Sequence, residues 1–193
     1  FEKAVNSEQT GNFKEALNIY SEILELDPDN KAALTNSAKL LSWRNEFDKA
    51  LTLLDRALKQ PPVYPEAIFR KGQILSWQNK YDEAIKLLEE YLEYEPNELV
   101  GHMALSRVLF WSGKTDRALE GFNKAEEMGA DKRETGTIKA KIYLSLRDLD
   151  SAEKELSNVL EIDPDYDEAQ RLMTGIDKKY NFHINIYWLM ENL

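Results

Sequence analysis

The chain has 193 residues, no cysteine, 25 lysines and arginines against 35 aspartates and glutamates, and a formal net charge of −10. The lack of cysteine excludes disulfides, thiolate metal sites and a cysteine nucleophile. The negative charge argues against nucleic-acid binding through a general electrostatic field and against adhesion of the chain to an anionic membrane. No apolar run approaches the roughly 20 residues that a membrane-spanning helix needs.

Three segments of the sequence resemble one another: LLSWRNEFDKAL, ILSWQNKYDEAI and VLFWSGKTDRAL. Their tryptophans, Trp43, Trp77 and Trp111, are spaced 34 residues apart. The alanine seven residues after each tryptophan keeps the same period, which extends backward to Ala16 and forward to Ala152. A fixed period of this length indicates a repeat array.

The first unit, about 1–30, opens inside a repeat, because the segment before Gly11 is too short for a full first helix. We therefore expect this sequence to be a piece of a longer protein. Its second helix carries an apolar stripe at helical spacing. Asp27-Pro28 ends that helix, since the residue before a proline is pushed out of the α region.

Each later unit contains two helices of about 13 residues joined by a short turn. The predicted units are about 31–64, 65–98, 99–132 and 133–166, followed by a capping helix at 167–180. The first helix of each pair carries a small residue at its middle, where a larger side chain would overpack the crossing second helix by roughly 1–3 kcal/mol. These small residues are Ala38, Gly72, Ser106 and Ala140.

Four recurring features of these units resemble the tetratricopeptide repeat (TPR) over residues 1 to about 166. They are the small residue, an aromatic ring two residues after the turn (Phe13, Phe47, Tyr81), the alanine, and the closing proline (Pro28, Pro62, Pro96, Pro164). The resemblance implies an all-α fold, a right-handed α-solenoid of stacked helix hairpins with about eleven helices and a short extended C-terminal tail. Chaperone-binding members of this family grip a peptide carboxylate with a clamp of lysine and asparagine. The matching positions here hold Thr35, Lys39, Arg70, Val100 and Ala104, so this clamp is not expected.

By the same resemblance, the inward positions of the first helices line a concave groove. Its aromatic residues are Trp43, Trp77 and Trp111 with Phe69 and Phe110 beside them, its basic or polar residues are Lys39, Gln73, Arg107 and Lys141, and Met103 faces it too. We expect the rings to stack on a chain-like ligand and the cations to meet its charged or hydroxyl groups. The alternatives are that the tryptophans are core residues packed against the next repeat's turn, and that the cations are solvated surface charges.

The tail NFHINIYWLMENL, at 181–193, changes period. Alternating apolar residues predict an extended strand, and apolar residues on one helix face predict a helix as the alternative. The strand pattern is carried by Phe182, Ile184, Ile186 and Trp188. The repeats followed by this tail resemble the periplasmic TPR region of YaiO-type and exopolysaccharide-export outer-membrane β-barrel proteins, which implies that the tail is the first barrel strand.

The predicted function is a non-catalytic TPR interaction scaffold that binds a protein partner or a polysaccharide in its groove. The predicted location is the periplasm, beside an outer-membrane barrel, and the alternative is a cytosolic TPR adaptor that binds a peptide or a partner domain. No cofactor and no metal are predicted, because His102 and His183 lie far apart and neither has a metal-ligand spacing. We expect His102 to be a packing residue.

Overall fold

A computed structural model describes residues 1–59 and 61–176 of the protein, and helices and short turns make up these ranges. Ten helices lie complete within these ranges, and residues 167–176 are helical as well. The ten are α1 (Glu2–Gln9), α2 (Phe13–Leu26), α3 (Lys31–Trp43), α4 (Phe47–Leu58), α5 (Pro65–Trp77), α6 (Tyr81–Tyr94), α7 (Leu99–Trp111), α8 (Thr115–Glu127), α9 (Lys132–Ser145) and α10 (Leu149–Ile162). No strand occurs in the described ranges, and the predicted all-α fold of stacked helix hairpins is confirmed.

The chain divides into two compact units, Phe1–Ser112 and a second unit that begins at Gly113. In the first unit, helices pair as α1 with α2, α3 with α4, and α5 with α6, and each second helix also contacts the first helix that follows it. In the second unit, α9 contacts both α8 and α10. The predicted single array over 1–180 and its repeat boundaries stay a prediction, and the predicted tail at 181–193 lies outside the described residues.

Small residues allow the two helices of a hairpin to approach closely. The predicted small positions are buried, and so is the period-34 alanine of every second helix. A Cβ added at Gly72 would lie 3.1 Å from Cγ of Leu88, which leaves little room for a larger residue between α5 and α6. The buried alanines are Ala16, Ala50, Ala84, Ala118 and Ala152.

Polar side chains cap the beginnings of four helices. The Asn30 side chain accepts a hydrogen bond from the backbone nitrogen of Ala33 at the start of α3. Asn12, Asp131 and Asp148 cap α2, α9 and α10 in the same way. Each cap satisfies one of the backbone donors that a helix leaves open at its amino end. None of the helices in the described ranges combines the length and apolar character that crossing a membrane requires.

Candidate functional site

The three predicted groove tryptophans occupy the last position of α3, α5 and α7. They remain about half exposed, at 51% for Trp43, 46% for Trp77 and 48% for Trp111. The covered half of two of them packs on another ring. The Trp43 ring lies 5.2 Å from Phe13, nearly edge-on, and the Trp77 ring lies 6.2 Å from Phe47.

These ring contacts reach backward along the chain. Phe13 and Phe47 begin the second helix of the preceding hairpin, not the next repeat's turn that the core alternative assumed. Aromatic pairs of this geometry contribute about 0.5–1.5 kcal/mol beyond the area that they bury. Each of these tryptophans therefore joins two hairpins and still presents part of its ring to solvent.

Two lysines of the predicted basic set are engaged by carboxylates. Lys39 forms an ion pair with Glu8, and its side chain is 17% exposed. The Lys39 ammonium also lies 5.6 Å from the centre of the Trp43 ring. Lys141 belongs to the second unit, where its ammonium lies 2.6 Å from the carboxylate of Glu168. The positive charge of both lysines is thus largely balanced within the protein.

Four predicted residues do meet in one place, between the carboxyl-terminal ends of α5 and α7. Gln73, Trp77, Arg107 and Trp111 line a cavity of about 190 Å³. Buried Leu88 and Val108 give the cavity an apolar floor, and Ser76 and Ala104 complete its lining. We call this cavity the tryptophan cleft.

The tryptophan cleft has an amphipathic lining. Among the described residues that line the cleft, Arg107 is the one with a formal charge, and its side chain is half-buried. The amide oxygen of Gln73 accepts a hydrogen bond of 3.0 Å from Arg70, which orients the Gln73 side chain. The hydroxyl of Ser76 donates to the Gln73 carbonyl oxygen at 2.7 Å. The cleft is therefore lined by two flat rings, one guanidinium and an apolar floor.

Other predicted residues lie apart from the cleft. Phe69 and Met103 are buried, at 3% and 7% exposure, and Phe110 is half-buried. The Phe69 ring is covered by Tyr91, 4.9 Å away, with the Arg70 guanidinium 5.4 Å from the Phe69 ring centre. Phe69 thus offers no open face to a ligand, because the neighbouring second helix places a ring over it.

His102 is a buried residue that is hydrogen-bonded within the protein. It is buried, and its Nε2 lies 2.9 Å from the carbonyl oxygen of Pro96. A carbonyl oxygen accepts hydrogen bonds, so Nε2 is the protonated nitrogen that donates in this pair. The contact ties α7 to the loop that precedes it, which fits the packing role expected for His102.

A second cavity of the first unit was not predicted from the sequence. It has a volume of about 420 Å³ and lies where α6 ends and where α5 and α7 begin. Its lining consists of Tyr64, Pro65, Glu66, Tyr91, Glu95 and Glu98. The sequence pattern that could have indicated this cavity is the tyrosines and glutamates next to the closing prolines. The same pattern is typical of ordinary helix boundaries.

The tyrosines of this second cavity sit in an acidic environment. Burial raises the pKa of Tyr91, and the carboxylates that line the same cavity raise that pKa further. Burial and the charge of Glu66 raise the pKa of Tyr64 in the same direction. Both phenols are therefore neutral hydrogen-bonding groups at physiological pH.

Solved structures of low sequence identity share the fold. YrrB, described as a TPR protein with an unusual peptide-binding site, has a TM-score of 0.72 and 19% identity, with 87% of each chain covered. MamA from Desulfovibrio magneticus RS-1 has a TM-score of 0.76 and 19% identity, with 86% of this chain and 94% of that chain covered. The thermophilic TPR protein TTC0263 of Thermus thermophilus has a TM-score of 0.68 and 18% identity, with 91% and 95% covered.

Sequence comparison gives a family assignment that does not depend on these structures. A search of the curated proteins found no match to the chain. A family model described as Tetratricopeptide repeat matches residues 9–68 and 78–142, and a second model of that description matches residues 137–166. These matches span more than half of the sequence, and the chain belongs to the tetratricopeptide repeat family.

Proposed function

We propose that this chain is a non-catalytic interaction scaffold that binds a peptide segment of a partner protein in the tryptophan cleft. One observation carries the proposal: Trp77 and Trp111, both about half exposed, line one cavity together with Arg107. Tryptophan and arginine are the residue types most enriched among those that dominate binding energy at protein interfaces. TPR folds in general act as protein-interaction scaffolds, which supports the same class of function.

The size of the cleft favours a peptide side chain over a free metabolite. Its volume of about 190 Å³ is smaller than the roughly 300–1,000 Å³ of pockets that enclose drug-sized ligands. A single apolar or aromatic side chain can fill such a space while the peptide backbone stays outside. A guanidinium has five N–H donors, so Arg107 can bind a carboxylate of the peptide alongside the partner that it has within the protein.

The proposal is tested by selecting peptides from a random display library on the full chain and measuring their affinities by fluorescence anisotropy. Trp77→Ala and Trp111→Ala should each weaken the selected peptides by about 10- to 100-fold, as expected for central aromatic anchors. Trp43→Ala is the matched control, because Trp43 ends α3 in the same way but lies outside the cleft. Its effect should stay within about 3-fold, on the scale of contacts peripheral to an interface.

Two results would contradict the peptide proposal. The first is a selection that yields no peptide whose binding depends on Trp77 or Trp111. The second is a Trp43→Ala variant that loses as much affinity as the cleft variants, since the cleft would then have no special role.

A polysaccharide is the second candidate ligand, and the exposure of all three tryptophans at one repeat position favours it. Half-exposed rings at 34-residue intervals can stack on successive sugar rings. Under this proposal Trp43→Ala should weaken binding in a glycan titration as much as Trp77→Ala, which separates it from the peptide proposal. A periplasmic location beside an outer-membrane barrel belongs to this candidate, with a cytosolic adaptor as the alternative, and the gene sequence on both sides of residues 1–193 tests both.

A further inference from the structure

The second cavity of the first unit carries more negative charge than its described neighbours neutralise. We call it the tyrosine-carboxylate pocket, formed by Tyr64, Pro65, Glu66, Tyr91, Glu95 and Glu98. Glu66 is paired with the Arg70 guanidinium at 2.7 Å. Glu95 and Glu98 pair with no cation within the described residues. The pocket therefore presents two carboxylates whose charge is not balanced by a described neighbour.

Helix electrostatics explain only part of this acidic lining. Glu66 lies in the first turn of α5 and Glu98 is the N-cap of α7, where negative charge is favourable. Glu95, in contrast, is the C-cap of α6, where the helix dipole disfavours a carboxylate. Glu98 also makes no side-chain capping hydrogen bond. The position of Glu95 therefore has no explanation in helix capping.

The Tyr91 hydroxyl is a second and independent observation. Tyr91 is only 7% exposed, and its ring is held against Phe69. Its hydroxyl, which belongs to the pocket lining, has no hydrogen-bond partner among residues 1–59 and 61–176. The ring is buried, but the hydroxyl opens into the cavity and is not enclosed by the protein. It is therefore placed to form a hydrogen bond with a polar group that enters the cavity.

We propose that the tyrosine-carboxylate pocket binds the cationic side chain of a lysine or arginine in a partner protein. Glu95 and Glu98 balance the positive charge, and the Tyr91 hydroxyl accepts a hydrogen bond from the ammonium or guanidinium. The ring of Tyr64, which is half-buried, adds cation–π attraction to either an ammonium or a guanidinium. The pocket volume of about 420 Å³ leaves room for the long aliphatic stem of either side chain.

This site is separate from the tryptophan cleft. The two cavities lie at opposite ends of α5 and α7, which have 13 residues each. At 1.5 Å per residue the ends of such a helix are about 18 Å apart. Cation binding at the amino-terminal end can therefore be measured independently of any ligand at the tryptophans.

The proposal is tested by titrating the ¹⁵N-labelled full chain with short capped peptides and measuring the chemical-shift changes of assigned amide signals by NMR. The probes are acetyl-Gly-Lys-Gly-amide, acetyl-Gly-Arg-Gly-amide and acetyl-Gly-norleucine-Gly-amide, the last having the lysine stem without its ammonium. We expect the two cationic peptides to shift the amides of Tyr64, Tyr91, Glu95 and Glu98, and the norleucine peptide to leave them in place. Spermidine serves as a cation that is not part of a peptide.

The variants distinguish charge recognition from a structural effect. Glu95→Gln combined with Glu98→Gln should weaken the cationic peptides by about 5-fold or more, since two charge contacts are lost at exposed positions that the fold does not depend on. Glu93→Gln is the matched control: it removes one exposed charge from the same turn of α6 outside the pocket, and should change nothing. Trp77→Ala should also leave this binding intact, whatever it does in the cleft.

Equal shifts from the norleucine peptide would overturn the proposal, because the pocket would then recognise only the aliphatic stem. Undiminished binding in the Glu95→Gln, Glu98→Gln double variant would overturn it as well. Tighter binding of spermidine than of either cationic peptide would overturn the assignment to a partner protein.

Discussion

One backbone position recurs in every hairpin turn of the described chain. The turn residues Gly11, Asn45, Asn79, Gly113 and Arg147 are 34 residues apart and have φ between 60° and 79°. Glycine and asparagine adopt this left-handed conformation at low cost, whereas for other L-residues it costs roughly 1–2 kcal/mol. Arg147 is the exception, so the turn between α9 and α10 is strained.

Arg147→Gly should stabilise the protein by about 1 kcal/mol, because glycine removes the steric cost of the positive φ. The free energy of unfolding in urea measures this effect. Arg147→Lys is the control, since lysine keeps a Cβ and should give no gain. A Gly variant no more stable than the Lys variant would show that the turn is not strained.

At the scale of helices, Lys139 connects three of them in the second unit. Its side chain is only 8% exposed and lies 2.9 Å from Glu126 of α8 and 3.2 Å from Glu155 of α10. Burial acts to lower the pKa of Lys139, but the hydrogen bonds and charges of Glu126 and Glu155 outweigh it and the pKa is raised. While both glutamates are ionised, the stabilisation that follows from a raised pKa is present below the ordinary lysine value and is lost as pH rises through the folded-state value.

Lys139→Met should destabilise the protein by about 2–3 kcal/mol at neutral pH. Removing one partner of a buried ion pair costs roughly 3–5 kcal/mol, and the two glutamates are about one-fifth exposed, which lowers that cost. Urea unfolding provides the measurement. The control is Lys141→Met, whose pair with Glu168 is about 40% exposed on both sides and should cost less than about 1 kcal/mol. Similar losses in both variants would contradict the bridging role of Lys139.

The sequence predicts the helices well because their signals are local. Turn residues, closing prolines and the small positions such as Ala38 and Gly72 act within one hairpin, and the structure places them as expected. Of the candidate site, the repeat pattern predicts four residues that the structure places around the tryptophan cleft, and it misses the apolar floor to which Leu88 of α6 contributes. The four are Gln73, Trp77, Arg107 and Trp111, and whether they bind a ligand stays a prediction.

Contacts between hairpins were harder to predict because they do not repeat. Glu8 pairs with Lys39, but the equivalent positions one and two repeats later are Ser42 and Ser76, so no periodic signal indicates this ion pair. The burial of Phe69 likewise depends on Tyr91 of the following helix, which a groove pattern drawn from first helices cannot include.

At the scale of the whole molecule, acid acts on stability through two opposing effects. The formal charge of −10 at pH 7 falls toward zero near the isoelectric point of about 4.8, which relieves repulsion. The helix caps act in the other direction. Hydrogen bonds from Arg133 lower the pKa of Asp131, and those from Ser151 lower the pKa of Asp148. Stability from a lowered carboxyl pKa is present above the ordinary aspartate value and is lost as pH falls through the folded-state value.

We therefore expect the urea midpoint to change little between pH 7 and about 5 and to fall below about pH 4. The double variant Asp131→Asn, Asp148→Asn keeps both caps, since asparagine caps helices as well as aspartate, and should show a shallower fall. Glu93→Gln provides the control for loss of one exposed charge. An unchanged slope in the double variant would assign the acid sensitivity to other carboxylates.

The recurring small residues bear on how such a chain can change in length. In the first unit, Ala38 and Gly72 occupy the same place in successive hairpins, and the alanines that face them, Ala50 and Ala84, match as well. An in-frame duplication of 34 codons would thus insert a hairpin whose two helices already fit each other. The packing inside the added hairpin would need no further substitution, and only its contacts with the neighbouring hairpins would have to adapt.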